Sequence, residues 1–157
     1  MELGYDGGDG TITKTPLDDL GAGGGFKVAV GWQQYIGGFD DVGLIFSLGY
    51  LFNEIEASIG EEETRAVVAE ALYFREFGPY RLSVGGSYHM NPRYTASIDG
   101  LAPTRIEFND ALGLVGRCGY VIDKTFEIGL RYTFIDYEAN GDSYNADSLG
   151  FYVSSVF

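Results

Sequence analysis

The sequence predicts an all-β fold, an eight-stranded antiparallel up-and-down β-barrel, and three observations predict it. Apolar or small side chains recur at every second position in stretches such as 126–134 and 149–157, and a period of two marks a strand with unlike faces. Glycine (24 residues) and aromatics (15%) are abundant and proline (4) is scarce, a composition that suits strands and tight turns. Short turns also alternate with long connections along the 157 residues, which are enough for one domain closing one small barrel.

The elements follow in order. A short first strand sets Leu3 and Tyr5 against Glu2, Gly4 and Asp6. Residues 7–25, rich in Gly, Asp and Thr, form a long loop. The second strand carries Phe26, Val28, Val30, Trp32, Gln34 and Ile36 on its apolar face, with Lys27, Ala29, Gly31, Gln33 and Tyr35 opposed. After a tight turn at 37–41, the third sets Leu44, Phe46, Leu48, Tyr50 and Phe52 against Ile45, Ser47, Gly49, Leu51 and Asn53, and its acidic far end runs on from Glu54 to Glu63.

The fourth strand, Arg65 to Phe77, conflicts with itself. Turning Glu70 inward also turns Leu72 and Phe74 inward and leaves Arg75 outside. Either a β-bulge near Glu70 or an Arg75 that reaches the membrane interface resolves this. Gly78-Pro79 makes the next turn. The fifth strand alternates Tyr80, Leu82, Val84, Gly86, Tyr88 and Met90 with Arg81, Ser83, Gly85, Ser87 and His89, and residues 91–104 form a second long loop.

The sixth strand runs from Ile106 to Ile122, with Glu107, Asn109, Gly113 and Arg117 on its polar face. Past a short turn at 123–125, the seventh sets Phe126, Ile128, Leu130, Tyr132 and Phe134 against Glu127, Gly129, Arg131 and Thr133. A polar loop, Glu138 to Ala146, leads to the terminal strand, Leu149 to Phe157. The three short turns share one rim, as do both chain ends.

Two barrels fit this alternation: a soluble lipocalin-type carrier with its apolar face inward, or a membrane barrel with that face outward. The polar face separates them. It mixes Gly31, Gly49, Gly85, Gly113, Gly129 and Gly150 with single charges, Lys27, Glu70, Arg81, Glu107, Arg117, Glu127 and Arg131. Glycines beside a few long charged chains suit a narrow interior, where the charges pair as a lumen network; breaking such a buried pair costs about 3–5 kcal/mol. Aromatics gather near the strand ends on the other face, Phe77, Tyr80, Tyr120, Phe126 and Phe157 at one rim and Tyr50, Phe52, Tyr88 and Phe134 nearer the other, as interfacial girdles do. The expectation is a transmembrane barrel with its lipid-facing side apolar.

A net charge of −13 argues against nucleic acid as a partner. No run of about 18 apolar residues offers a membrane helix. One cysteine, Cys118, forms no internal disulfide and serves as a small apolar residue on the lipid side. Met1 is followed by Glu2 with no basic or apolar leader, so Met1 is expected to stand where an export signal has been removed.

The stretch F-E-I-G-L-R-Y-T-F-I-D-Y-E, followed by a loop and a strand ending in Phe157, resembles the small eight-stranded outer-membrane barrels of the OmpA/OmpX-like family. The resemblance implies a bacterial outer-membrane location and no enzyme activity or cofactor. It also implies insertion by the outer-membrane assembly machinery through a terminal signal at Leu149, Phe151, Val153 and Phe157, in contact with the lipid bilayer and lipopolysaccharide.

Three candidate sites remain. Ser87 and His89 share a face, and a serine beside a base invites a lipid A-modifying hydrolase reading, but no orienting acid is identifiable. Residues 54–64 and 136–147 are acidic and lack Lys and Arg, so divalent cations are a candidate partner there, set against simple solvation. The G-A-G-G-G at 21–25 is no phosphate loop, because no Gly-Lys-Ser/Thr follows.

Overall fold

A computed structural model describes residues 2–7, 25–57, 60–98, 104–122 and 125–155. Ten strands are described: β1 (Glu2–Gly7), β2 (Gly25–Tyr35), β3 (Val42–Ala57), β4 (Gly60–Phe77), β5 (Tyr80–Ile98), β6 (Thr104–Glu107), β7 (Ala111–Val121), β8 (Phe126–Ala139), β9 (Asp142–Asn145) and β10 (Ser148–Ser155). Eight of them close a ring of antiparallel neighbours, β1-β2-β3-β4-β5-β7-β8-β10, and β10 pairs back onto β1 through Glu2↔Ser154 to Gly7↔Leu149. The other two are short extensions: β6 pairs with the far end of β5, and β9 with the far end of β8.

The ring is sheared. From the Glu2–Ser154 pair, directly opposed residues lead one way through Ala29, Gly49, Val68 and His89 to Ala111 on β7. The other way they lead through Glu127 to Val121, ten positions along the same strand. A stagger of this kind goes with strands tilted roughly 35–45° and a bore that side chains can fill.

The faces decide what kind of barrel this is. Phe46 (43%), Leu130 (46%) and Phe151 (65%) are exposed outside, while Arg131 (1%) and Glu127 (5%) are enclosed. A soluble carrier needs the reverse, so the barrel is of the transmembrane kind, with hydrocarbon as the solvent of its outer wall. Outward aromatics pair across strands, Phe26 with Phe52 at 5.6 Å and Tyr80 with Tyr120 at 5.6 Å, towards opposite rims.

β4 resolves its conflict without a bulge at Glu70. Leu72 and Phe74 do point inward and are fully buried. Phe74 lies 4.6 Å beneath the Arg81 guanidinium and edge-on to Tyr35 at 5.3 Å. Gly43 makes room for it, since a Cβ there would collide with the Phe74 ring. Arg75 reaches the short-turn rim, with Asp41 at 3.5 Å and its guanidinium 5.2 Å from the centre of the Phe77 ring.

A bulge does occur, but in β5. Val67 faces Met90 and Arg65 faces Arg93, so Asn91 and Pro92 together oppose the single residue Ala66. Asn91 takes a φ of 49°, a left-handed conformation that asparagine tolerates better than most residues. Its N–H donates to Asp110 Oδ1 at 2.9 Å, and the Pro92 carbonyl accepts from Phe108 N–H at 3.0 Å. The extra residue reverses the alternation: His89 points inward below the bulge, and Pro92 and Tyr94 do so above it.

Two of the expected loops contain strand, and the acidic far end of the third expected strand is strand as well. β3 and β4 continue their ladder as far as Ala57↔Gly60, and residues 91–98 belong to β5. The segment from Glu138 turns at Asn140-Gly141, both with positive φ (55° and 89°), and returns as β9. Two central residues with positive φ make the hairpin turn that Asn-Gly favours. The sixth expected strand, in turn, is two strands broken at 108–110.

Candidate functional site

Alternation on six strands projects long polar chains into the bore, where they meet around two hubs. The first is Glu70 on β4. Its carboxylate accepts from Lys27 Nζ at 2.9 Å, Arg117 Nη2 at 2.7 Å, and Arg131 Nη1 and Nη2 at 3.1 and 2.5 Å. Ser47 Oγ approaches to 3.4 Å, and Arg131 Nε donates to Thr133 Oγ1 at 3.1 Å. One carboxylate thus serves three cations from β2, β7 and β8. Charge-assisted bonds of this length are the strong kind, and the low-dielectric bore strengthens them further.

The second hub is Arg81 on β5, nearer the short turns. It donates to Glu127 Oε2 at 2.7 Å, Gln33 Oε1 at 3.1 Å and Glu76 Oε1 through Nε at 3.1 Å, with a second, shorter bond to Glu76. Tyr35 OH donates to Glu76 at 3.0 Å, and Tyr152 OH to Glu127. The Arg117 guanidinium stands 5.1 Å from the Tyr152 ring centre, linking the two hubs. Gly119 and Gly129 face each other beside the Tyr152–Glu127 pair, and a Cβ on Gly119 would strike both partners. Here glycine is what lets the ion network fit the bore.

Of the seven charged residues the sequence singled out, the structure brings together six: Lys27, Glu70, Arg81, Arg117, Glu127 and Arg131. Glu107 is elsewhere. Its side chain is 62% exposed outside the ring, with Arg105 at 3.2 Å and Arg93 at 3.6 Å. Counting every second residue back from Arg117 fails because the chain leaves the ladder at 108–110. Sequence reading passed over Glu76 and Tyr152, although both share a face with residues it had turned inward, Glu70 and Gly150 respectively.

Above the first hub the bore is aromatic. His89 Nδ1 lies 2.7 Å from Tyr137 OH, and Phe108 packs against Tyr137 and Tyr144 at 5.5 and 5.6 Å. Ser87 and His89 are both buried within the ring. The tyrosine engages the imidazole nitrogen that an orienting acid would need in a Ser-His hydrolase.

The acidic segments are partly committed to structure. Asp147 accepts from Ile135 N–H at 3.1 Å and Tyr132 OH at 3.0 Å, and Asp136 from Asn145 Nδ2 at 3.1 Å. Among the described residues no group of three or more His, Cys, Asp or Glu could hold a metal ion. Asp110, between β6 and β7, accepts from Asn91 N–H and from Tyr88 OH at 2.8 Å, and these bonds hold its carboxyl below the usual carboxylate range. Leu149 and Phe151 of the terminal strand are exposed on the lipid side and Val153 is half-buried; Phe157 lies outside the described residues.

Two solved structures share the fold along nearly their full length. Neisserial surface protein A (NspA) superposes with a TM-score of 0.63 at 12% identity, covering 99% of this chain and 94% of its own. Ail, the attachment invasion locus protein of Yersinia pestis, gives 0.55 at 16%, covering 97% and 95%. The chain has the fold of the small outer-membrane barrels. At these identities the shared small-barrel fold is a matter of strand plan rather than sequence. No protein-family model matches the sequence, and no curated protein does.

Proposed function

We propose that the chain resides in the bacterial outer membrane as a small barrel with a closed lumen, and that its role is structural or one of surface interaction through its extracellular hairpins. The observation that carries this is the inverted distribution of side chains, apolar outside and ionic inside. On this reading the short turns face the periplasm, and β3–β4, β5–β6 and β8–β9 rise above the outer leaflet. The two ion hubs and the aromatic layer above them support a lumen closed to general solute passage, since wide aqueous channels belong to barrels of about 16–18 strands.

A non-catalytic role is supported by the setting of Ser87 and His89, which face the bore rather than the lipid a hydrolase would attack. Insertion by the outer-membrane assembly machinery, with Leu149, Phe151, Val153 and Phe157 as its signal, belongs to the same proposal. The test is to express the chain with an export signal, fractionate the envelope, and compare heated with unheated samples in detergent gels. Outer-membrane recovery, a heat-dependent shift in migration and no porin-like conductance in planar bilayers are expected. A chain that stays monodisperse in buffer without detergent and shows no shift would overturn the reading.

A further inference from the structure

Inside the ring, β5 carries two polar atoms that neither hub uses. Ser87 and His89 are 1% and 5% exposed, and among the described residues Ser87 Oγ and His89 Nε2 have no hydrogen-bond partner. Burying a polar atom in that state is unfavourable, so such atoms are normally satisfied by a side chain or a guest. The two residues share one face of one strand, two positions and about 6.6 Å apart. A single acceptor can bridge that span with two hydrogen bonds of about 3 Å. The neighbouring strand leaves room for it. β7 sets Gly113 opposite Ser87 and Ala111 opposite His89, and a Cβ on Gly113 would press on the Ser87 hydroxyl at 2.9 Å.

Cations gather beside this pair. Glu70 stands directly opposite Ser87 across the β4–β5 ladder, and it draws the heads of Lys27, Arg117 and Arg131 to that wall of the bore. Glu76 and Glu127 belong to the lower hub with Arg81. β1, which carries Glu2 and Asp6, is four strands from β5 in either direction round the ring. A route from the short-turn rim leads towards the same place. Gly31, Gln33 and Ser47 turn inward yet keep part or all of their exposure, and Ser47 Oγ lies 3.4 Å from Glu70.

We propose that Ser87 and His89 hold a small inorganic anion, halide in size, in the bore above Glu70. Tyr137 OH donates to His89 Nδ1, which sets the ring proton on Nε2. That N–H and the Ser87 hydroxyl then both donate to the anion. The three cations serve two anions, Glu70 and the guest, instead of one. Tyr137 and Phe108, packed at 5.5 Å, close the site from above. The inference needs the folded ring and is independent of the surface role proposed above.

The test follows thermal unfolding of the refolded full chain in non-ionic detergent while sodium bromide replaces sodium gluconate at fixed ionic strength. Bromide should raise the midpoint of wild type and saturate as a single site does. S87A and H89F should each weaken the apparent affinity about tenfold or more, as loss of a hydrogen bond to an ion does. R75Q, at the rim, should leave it unchanged. E70Q, which removes the carboxylate that shares the three cations, should bind bromide more tightly than wild type. General salt effects act alike on all variants, so the differences between them report the site. A wild-type midpoint indifferent to the identity of the anion would leave water alone between the two groups and overturn the proposal. So would a bromide response that persists at full strength in folded S87A. Should H89F not fold, S87A, which removes only an unpartnered hydroxyl, decides alone.

Discussion

Glu70 and Glu107 carry the same charge and each meets more than one cation, yet they stand in opposite worlds. Glu70 accepts from Lys27, Arg117 and Arg131 in a bore where its side chain is 1% exposed. Glu107 lies between Arg93 and Arg105 on an outer sheet where all three are more than half exposed. The contacts look alike in a list. In water the partners are screened and individually solvated, so the pair is worth about 0–1 kcal/mol. In the bore each ion has given up its water, and the charges hold one another in place only as a set.

That contrast sets an order of expected effects. Glu70→Gln keeps the shape but leaves three cations facing one another, and should cost about 3–5 kcal/mol, read as a lower urea midpoint for the barrel refolded in lipid vesicles. Arg81→Met should cost less, about 2 kcal/mol. Its loss strands two carboxylates, but Glu127 keeps the Tyr152 hydroxyl and Glu76 keeps that of Tyr35 near the water at the short-turn rim. Glu107→Gln should stay within about 0.5 kcal/mol of wild type. A Glu107→Gln variant as unstable as Glu70→Gln would erase the distinction.

The part of the fold legible in the sequence is the part that spans the membrane. There one face meets hydrocarbon and the other an ionic bore, so apolar and polar residues must alternate, and Lys27, Glu70 and Arg131 could be turned inward by counting. Above the belt both faces of a strand meet water and the pattern fades, which is why β9, the far end of β5 and the start of β6 read as loops. Asn140-Gly141 is a local hairpin signal there. Parity counting also presumes an unbroken ladder. It therefore misplaced Glu107 across the break at 108–110, and it had no means of finding Asn91-Pro92, where a single residue too many resets the count.

That surplus residue separates two reading frames of inside and outside along one strand. Below it β5 answers to the lipid; above it, to water. Losing one residue at the junction would swing Tyr94 out and Arg93 in while the membrane-spanning half stayed as it is. The exposed crown can thus be re-faced in one genetic step, with its anchor left untouched.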